Sequence, residues 1–271
     1  MNRPDRQEIE AEASDAATKA RRRLGLPGGA IVDLVAAVEC LTGDDVAIVE
    51  AADGDHGLTM RDRATGREIL AVSTMDNPLR QRSILAHEFA HHVFRDHLAA
   101  TADLSIRTRE ESRADTFARH FLIPLGDVGA LRSPVDVSAL SSLVERYLVS
   151  PAIAAIQLRE VGLIDEATKK EWMGLDVEAL AVRFGWIDAY RTLQAGSMSK
   201  RAPRRLLARA ISAYEQGLLG VEAVASLRGV DPQTMLLELE RAGIRPAEEE
   251  AVPDDDSVFD ALNEEDPSAD D

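Results

Sequence analysis

Cysteine is nearly absent from this chain of 271 residues: Cys40 stands alone, so no intrachain disulfide can form. A single thiol fits a reducing compartment, and the protein is expected to be cytoplasmic. Aromatic residues make up only 4% of the chain, which leaves Leu, Val, Ile and Ala to fill most of the core. Long apolar runs are missing too, and none approaches the ~20 residues that a membrane-spanning helix needs. Met1 to Arg23 is charged throughout and has no apolar centre, so it is not expected to act as a signal peptide. Positive charge is in short supply: 31 Lys and Arg face 48 Asp and Glu, for a formal net charge of −17. That acidity is uneven. Residues 247–271 hold twelve acids and no Lys or Arg, and removing their contribution leaves −5 for residues 1–246. The tail is too charged and too poor in apolar residues to order itself, so it is expected to be disordered.

One stretch present in the chain carries chemistry: His87-Glu88-Phe89-Ala90-His91. On a helix, positions four apart share a face, so the imidazoles of His87 and His91 can converge on one point. Two imidazoles suit a zinc ion, and Glu88 can then reach a water at that ion. The helix is predicted independently of the motif. Asn77-Pro78 reads as an N-cap followed by proline in the first turn, and Ile84, Leu85, Phe89, Val93 and Phe94 form an apolar stripe. About twenty residues on, Glu110 to Leu122 reads as a second amphipathic helix that stops before Pro124, with Phe117, Phe121 and Leu122 inward. Glu111 is the candidate third ligand, and Asp115, one turn further, is placed to hydrogen-bond a ligand histidine from behind.

Together, His87-Glu88-Phe89-Ala90-His91, the run Glu111-Ser112-Arg113-Ala114-Asp115-Thr116-Phe117-Ala118 and the closing Leu122-Ile123-Pro124 resemble the ImmA/IrrE-type metallopeptidases, which are bacterial zincins. The resemblance reaches back more loosely to about Leu24, through Gly57-Leu58-Thr59. It implies a metalloendopeptidase with Zn2+ held by His87, His91 and Glu111, and with Glu88 as general base. A His-His-Glu set also accepts Mn2+. The implied substrate is a helix-turn-helix repressor whose cleavage relieves repression. One position departs from the family: Arg113 stands where members commonly carry an acidic residue. Glu111 is therefore the favoured ligand, with Glu110 its rival. The alternative from another class is a non-proteolytic, metal-containing regulator that binds protein or DNA.

The expected fold is α+β and mostly helical. A zincin-like domain (1–134) with a small antiparallel sheet precedes a helical domain (135–246) and the acidic tail (247–271). Residues 5–24 read as an Ala-rich surface helix. Short strands are expected at Val46–Val49, His56–Arg61 and Arg67–Val72, with tight connections between them. Beyond Pro134 an internal repeat appears at an offset of 81 residues: Val149-Ser150-Pro151 matches Val230-Asp231-Pro232, and Gly162 matches Gly243. Each copy reads as a helix-turn-helix-like pair. Neither second helix is basic, so specific DNA binding is not expected and a protein partner is. The cluster Lys200-Arg201-Ala202-Pro203-Arg204-Arg205 reads either as a solvated flank or as a docking site for an acidic segment. His92 and His97 are assigned structural roles; nothing in their spacing ties His56 or His120 to the metal.

Overall fold

A computed structural model describes residues 3–50, 57–61, 66–96 and 108–247. The connections at residues 51–56, which include His56, and 62–65, together with His97 and all of the acidic tail after Ala247, lie outside the described residues. In chain order the elements are α1 (Arg3–Arg23), α2 (Leu34–Thr42), β1 (Asp45–Val49), β2 (Gly57–Arg61), β3 (Glu68–Ser73), α3 (Pro78–Phe94), α4 (Arg109–Leu122) and α5 (Leu125–Gly129). Helices alone follow: α6 (Val137–Tyr147), α7 (Pro151–Glu160), α8 (Glu166–Met173), α9 (Val177–Phe184), α10 (Ile187–Ser197), α11 (Arg204–Glu215), α12 (Val221–Arg228) and α13 (Pro232–Arg241). The α+β, mostly helical class is as expected. No single described helix is long and apolar enough to cross a membrane.

The sheet is mixed, not antiparallel, which corrects the expectation. Its order is β1-β3-β2, with β3 parallel to β1 and antiparallel to β2. The reason lies in apolar content. Leu70, Ala71 and Val72 of β3 are all buried, and a continuous apolar run belongs in the middle of a sheet. Met60 and Arg61 of β2 are exposed, which suits an edge. The outer edge of β1 is partly closed by residue 201: Ile48 and Arg201 exchange two backbone hydrogen bonds of 2.9 Å. Among the described residues, no strand covers the outer edge of β2.

Two helices frame the site. Asn77 caps α3, its side chain accepting from the Arg80 amide at 3.0 Å, with Pro78 in the first turn. Thr108 caps α4 in the same way through the Glu111 amide at 3.3 Å. The two helices meet through four of the six phenylalanines. Phe89 packs on Phe117 and Phe121 at ring-centroid distances of 5.5 and 5.2 Å, and Phe94 and Phe121 flank Phe117 at 5.9 and 5.5 Å. The scarce aromatics are thus concentrated where the metal-binding motif needs a firm backing.

α1 is more than a surface cover. Ile9, Ala13, Ala17 and Ala20 are buried on one stripe, and small residues let this helix approach α4 closely. Its Glu10 joins a polar network in that interface. Arg119 Nη2 donates to Glu10 Oε2 at 2.8 Å, His120 Nε2 lies 2.5 Å from Oε1, and Arg119 Nη1 donates to Gln157 Oε1 at 2.6 Å. Burial pushes the Glu10 carboxyl up, but its bonds to His120 and Arg119 outweigh this and bring it down to about 2. A depressed carboxyl stabilises the fold above its unfolded value near 4.5 and loses that contribution as pH falls toward 2. Glu10→Gln is therefore expected to cost on the order of 1 kcal/mol at pH 7, after screening at a third-exposed carboxylate is discounted. Urea midpoints at pH 7 and pH 3 check this: the gap between wild type and variant should shrink at the lower pH.

The chain divides into two compact units, Met1–Arg205 and Leu206–Asp271. In the first, one hydrophobic core runs from Ala13 to Tyr190 and has members on both sides of residue 134, where the sequence suggested a boundary. The first repeat copy, α6–α7, belongs to this unit. The second, α12–α13, has its own small core of Tyr214, Val224, Ala225, Met235 and Leu239. Ser150 and Asp231 cap the equivalent second helices, and Gly162 and Gly243 both end them at φ 74°. Much of the basic cluster is engaged within the first unit. Lys200 pairs with Glu50 at 2.7 Å, Arg201 with Glu39 at 2.8 Å, and Arg205 with Asp45 at 3.5 Å.

Candidate metal centre

α3 and α4 bring together His87, His91 and Glu111. His87 Nε2 and His91 Nε2 lie 3.0 Å apart, and the Glu111 carboxylate oxygens lie 3.1 Å from the first and 3.4 Å from the second. A tetrahedral ion with bonds near 2.0–2.1 Å needs ligand atoms about 3.3 Å apart. The triangle fits such an ion. The far side of each ring strengthens the case. His87 Nδ1 meets Asp115 Oδ1 at 2.9 Å, and His91 Nδ1 meets Asp96 Oδ2 at 3.3 Å. A carboxylate behind an imidazole favours the tautomer with its proton on Nδ1, which leaves Nε2 as the lone pair offered to a metal. In that tautomer the two Nε2 atoms and the Glu111 carboxylate converge as three acceptors, an arrangement that a cation relieves.

Glu88 lies one residue past His87 and is not in the triangle. Thr59 Oγ1, from β2, stands 3.5 Å from its Oε2, at the outer limit of a hydrogen bond. Burial raises the Glu88 carboxyl, against the lowering influence of His87 and His91. Burial also pulls the His87 imidazole down, yet the bond to Asp115 and the charges of Asp115, Glu111 and Glu88 outweigh it and leave it raised. A cleft of about 270 Å³ opens beside these groups, lined by Gly57, Ser83, Ile84, His87, Glu88 and Asp115. Gly57 is fixed sterically: a Cβ there would come within 2.5 Å of Glu88 Oε1 and 2.8 Å of its Cγ and Cδ. Gly57→Ala is expected to displace Glu88 and lower turnover about 10-fold or more while leaving metal content unchanged. Metal analysis and activity on one preparation check it.

The family model described as the IrrE N-terminal-like domain, of the peptidase M78 family, matches residues 45–159. This part of the chain is similar to the IrrE N-terminal-like domain. The match starts at the first residue of β1 and ends one residue before the end of α7, so it spans the sheet, both metal-facing helices and the first repeat copy. No curated protein matches the chain. Within the matched segment, Glu111 and not Glu110 faces the two histidines. Glu110 is an exposed carboxylate whose acidity is raised by backbone and Thr108 hydrogen bonds at the start of α4.

The remaining histidines that the structure describes lie elsewhere. His92 Nδ1 meets Glu68 Oε2 at 3.0 Å and stands 4.0 Å from Asp44 Oδ2, tying the end of α3 to the sheet. His120 is buried against Glu10 and Gln157, away from the motif. Asp96 was not anticipated. It follows Arg95, which ends α3 in the left-handed region at φ 59°, and periodicity says nothing of where a chain goes after such a residue. Thr59 and Gly57 stood in the resembling segment without a role; their proximity to Glu88 depends on β2 taking the edge.

Proposed function

We propose that the chain is a zinc-dependent endopeptidase that cleaves a specific intracellular protein, a helix-turn-helix transcriptional repressor. The reading rests above all on the convergence of the His87, His91 and Glu111 lone pairs beside an intact Glu88 that is not one of them. His87, His91 and Glu111 would hold the ion, and two imidazoles with one carboxylate suit zinc. Bound there, the ion supplies a Lewis acid for the scissile carbonyl and for the attacking water. Glu88 takes the proton of that water as it attacks and hands it to the leaving amine, a double duty that its raised pKa suits. Asp115 and Asp96 keep the imidazoles in the tautomer that leaves Nε2 bare.

Among the described residues the outer edge of β2 carries no further strand; it runs beside the cleft and can pair with an extended substrate segment, so backbone hydrogen bonds supply affinity and side chains select sequence. An interdomain linker in a repressor meets that requirement without unfolding. The repressor itself comes from the family resemblance, and the mildly acidic body favours a protein partner over nucleic acid. To test this, full-length wild type and Glu88→Gln, each loaded with Zn2+ or Mn2+, are incubated with host lysate, and new protein N-termini are mapped by mass spectrometry. Termini within a helix-turn-helix protein that need Glu88 and vanish with chelator support the reading. An absence of Glu88-dependent termini with either metal overturns it.

A further inference from the structure

Asp96 is a mobile-looking choice of anchor for a metal ligand, since it lies beyond the last turn of α3, yet it is held from two directions. Its Oδ2 faces His91 Nδ1 at 3.3 Å, and its Oδ1 accepts from Arg113 Nη2 at 2.6 Å. Arg113 then reaches away from the metal: its Nη1 donates to Glu12 Oε1, on α1, at 2.7 Å. The guanidinium also lies over the Phe94 ring at 4.1 Å, which fixes its plane. Glu12 is steadied in turn by Arg109, 3.8 Å away, while Arg109 bonds Glu8 at 3.2 Å. We infer that α1, which lies wholly outside the peptidase match at residues 45–159, positions the metal ligand His91 through Glu12, Arg113 and Asp96.

The inference rests on the metal-centre reading above. Burial decides which links matter most. Arg113 and Asp96 are only 16% and 11% exposed in their side chains, so water screens their pair weakly; Glu12 is 39% exposed and its pair with Arg113 is screened more. Effects should therefore fall in the order Asp96, Arg113, Glu12. The chemistry is positional. A carboxylate behind an imidazole sets the ring's tautomer and angle, and a fixed guanidinium keeps that carboxylate from swinging to solvent. Arginine is required because its two terminal nitrogens engage two carboxylates at once, whereas a lysine offers one point charge. The same residue explains the departure at position 113: an acid there would repel Asp96 and Glu12. None of the three touches the reacting atoms, so they are positioning residues.

The test uses the full chain with Co2+ as probe, reading its affinity by competition and the geometry of its site by the visible d–d spectrum. Asp96→Ala is expected to weaken Co2+ binding about 10–100-fold with a changed spectrum. Arg113→Ala should weaken it about 3–10-fold with a spectral change of the same kind, Arg113→Lys should recover part of the loss, and Glu12→Gln should show the smallest effect. The double variant Asp96→Ala/Arg113→Ala should bind no more weakly than Asp96→Ala alone, because Arg113 acts through Asp96. Should Arg113→Ala not fold, the ordering of Arg113→Lys and Glu12→Gln against wild type still decides the matter. Wild-type affinity and spectrum in the Arg113 variants, or losses that multiply in the double variant, overturn the inference. If His87→Ala binds Co2+ as wild type does, the metal centre itself is misassigned and the inference falls with it.

Discussion

Glu88→Gln is expected to abolish proteolysis while leaving metal content at wild-type level. Glutamine keeps the size and the hydrogen-bonding reach of the side chain but cannot take up a proton. Positioned proton transfer contributes about 10²–10⁴ in rate, and a loss in that range is expected here. The metal should remain because Glu88 is not among the three donor groups that converge. Two features of its surroundings favour the role. Burial raises its pKa, bringing it closer to the range where it can both accept and release a proton at neutral pH. Gly57 leaves the side chain just enough room, so its carboxyl is aimed and not free. Cleavage and metal content measured on one preparation give the answer, and cleavage at wild-type rate would remove Glu88 from the mechanism.

Glu111→Ala should have the opposite signature and lose the metal first. Its carboxylate closes the triangle on both histidines at 3.1 and 3.4 Å, and without it two imidazoles face a side of the site open to solvent. The drop in affinity should exceed the about 10–100-fold that follows loss of a group behind a ligand, which is the range expected for Asp115→Ala. Glu110→Ala should bind metal as wild type does, since that carboxylate is exposed and associated with the start of α4. Competition titrations on the three variants separate them. A Glu110→Ala protein stripped of metal would shift the assignment by one residue.

Much of this site was legible because helices advertise themselves locally. The cap at Asn77, the His87–His91 spacing and the placement of Glu111 ahead of Phe117 and Phe121 all follow from a period that any short window reveals. Pairing between strands is not local. Short apolar or alternating runs predicted β1, β2 and β3 as strands but could not say that β3 would lie between the other two, and that order decides which strand borders Glu88. The burial of α1 was hidden by its residues: a stripe of alanines has little hydrophobic signal, although it permits the closest helix contact. Asp96 was hidden by the left-handed turn at Arg95, past which spacing along the helix no longer predicts direction. Arg113 stood out as an oddity in the motif, but its meaning required Glu12, about a hundred residues earlier in the chain.

The phenylalanine packing between α3 and α4 has a consequence for how this protein meets its ion. Three ring contacts between the helices, each worth about 0.5–1.5 kcal/mol beyond buried area, hold α3 and α4 together on the side away from His87 and His91. In a small zinc finger the ion is the fold, and a chelator denatures it. Here the helices are already paired by carbon against carbon, so the fold is expected to survive treatment with a chelator.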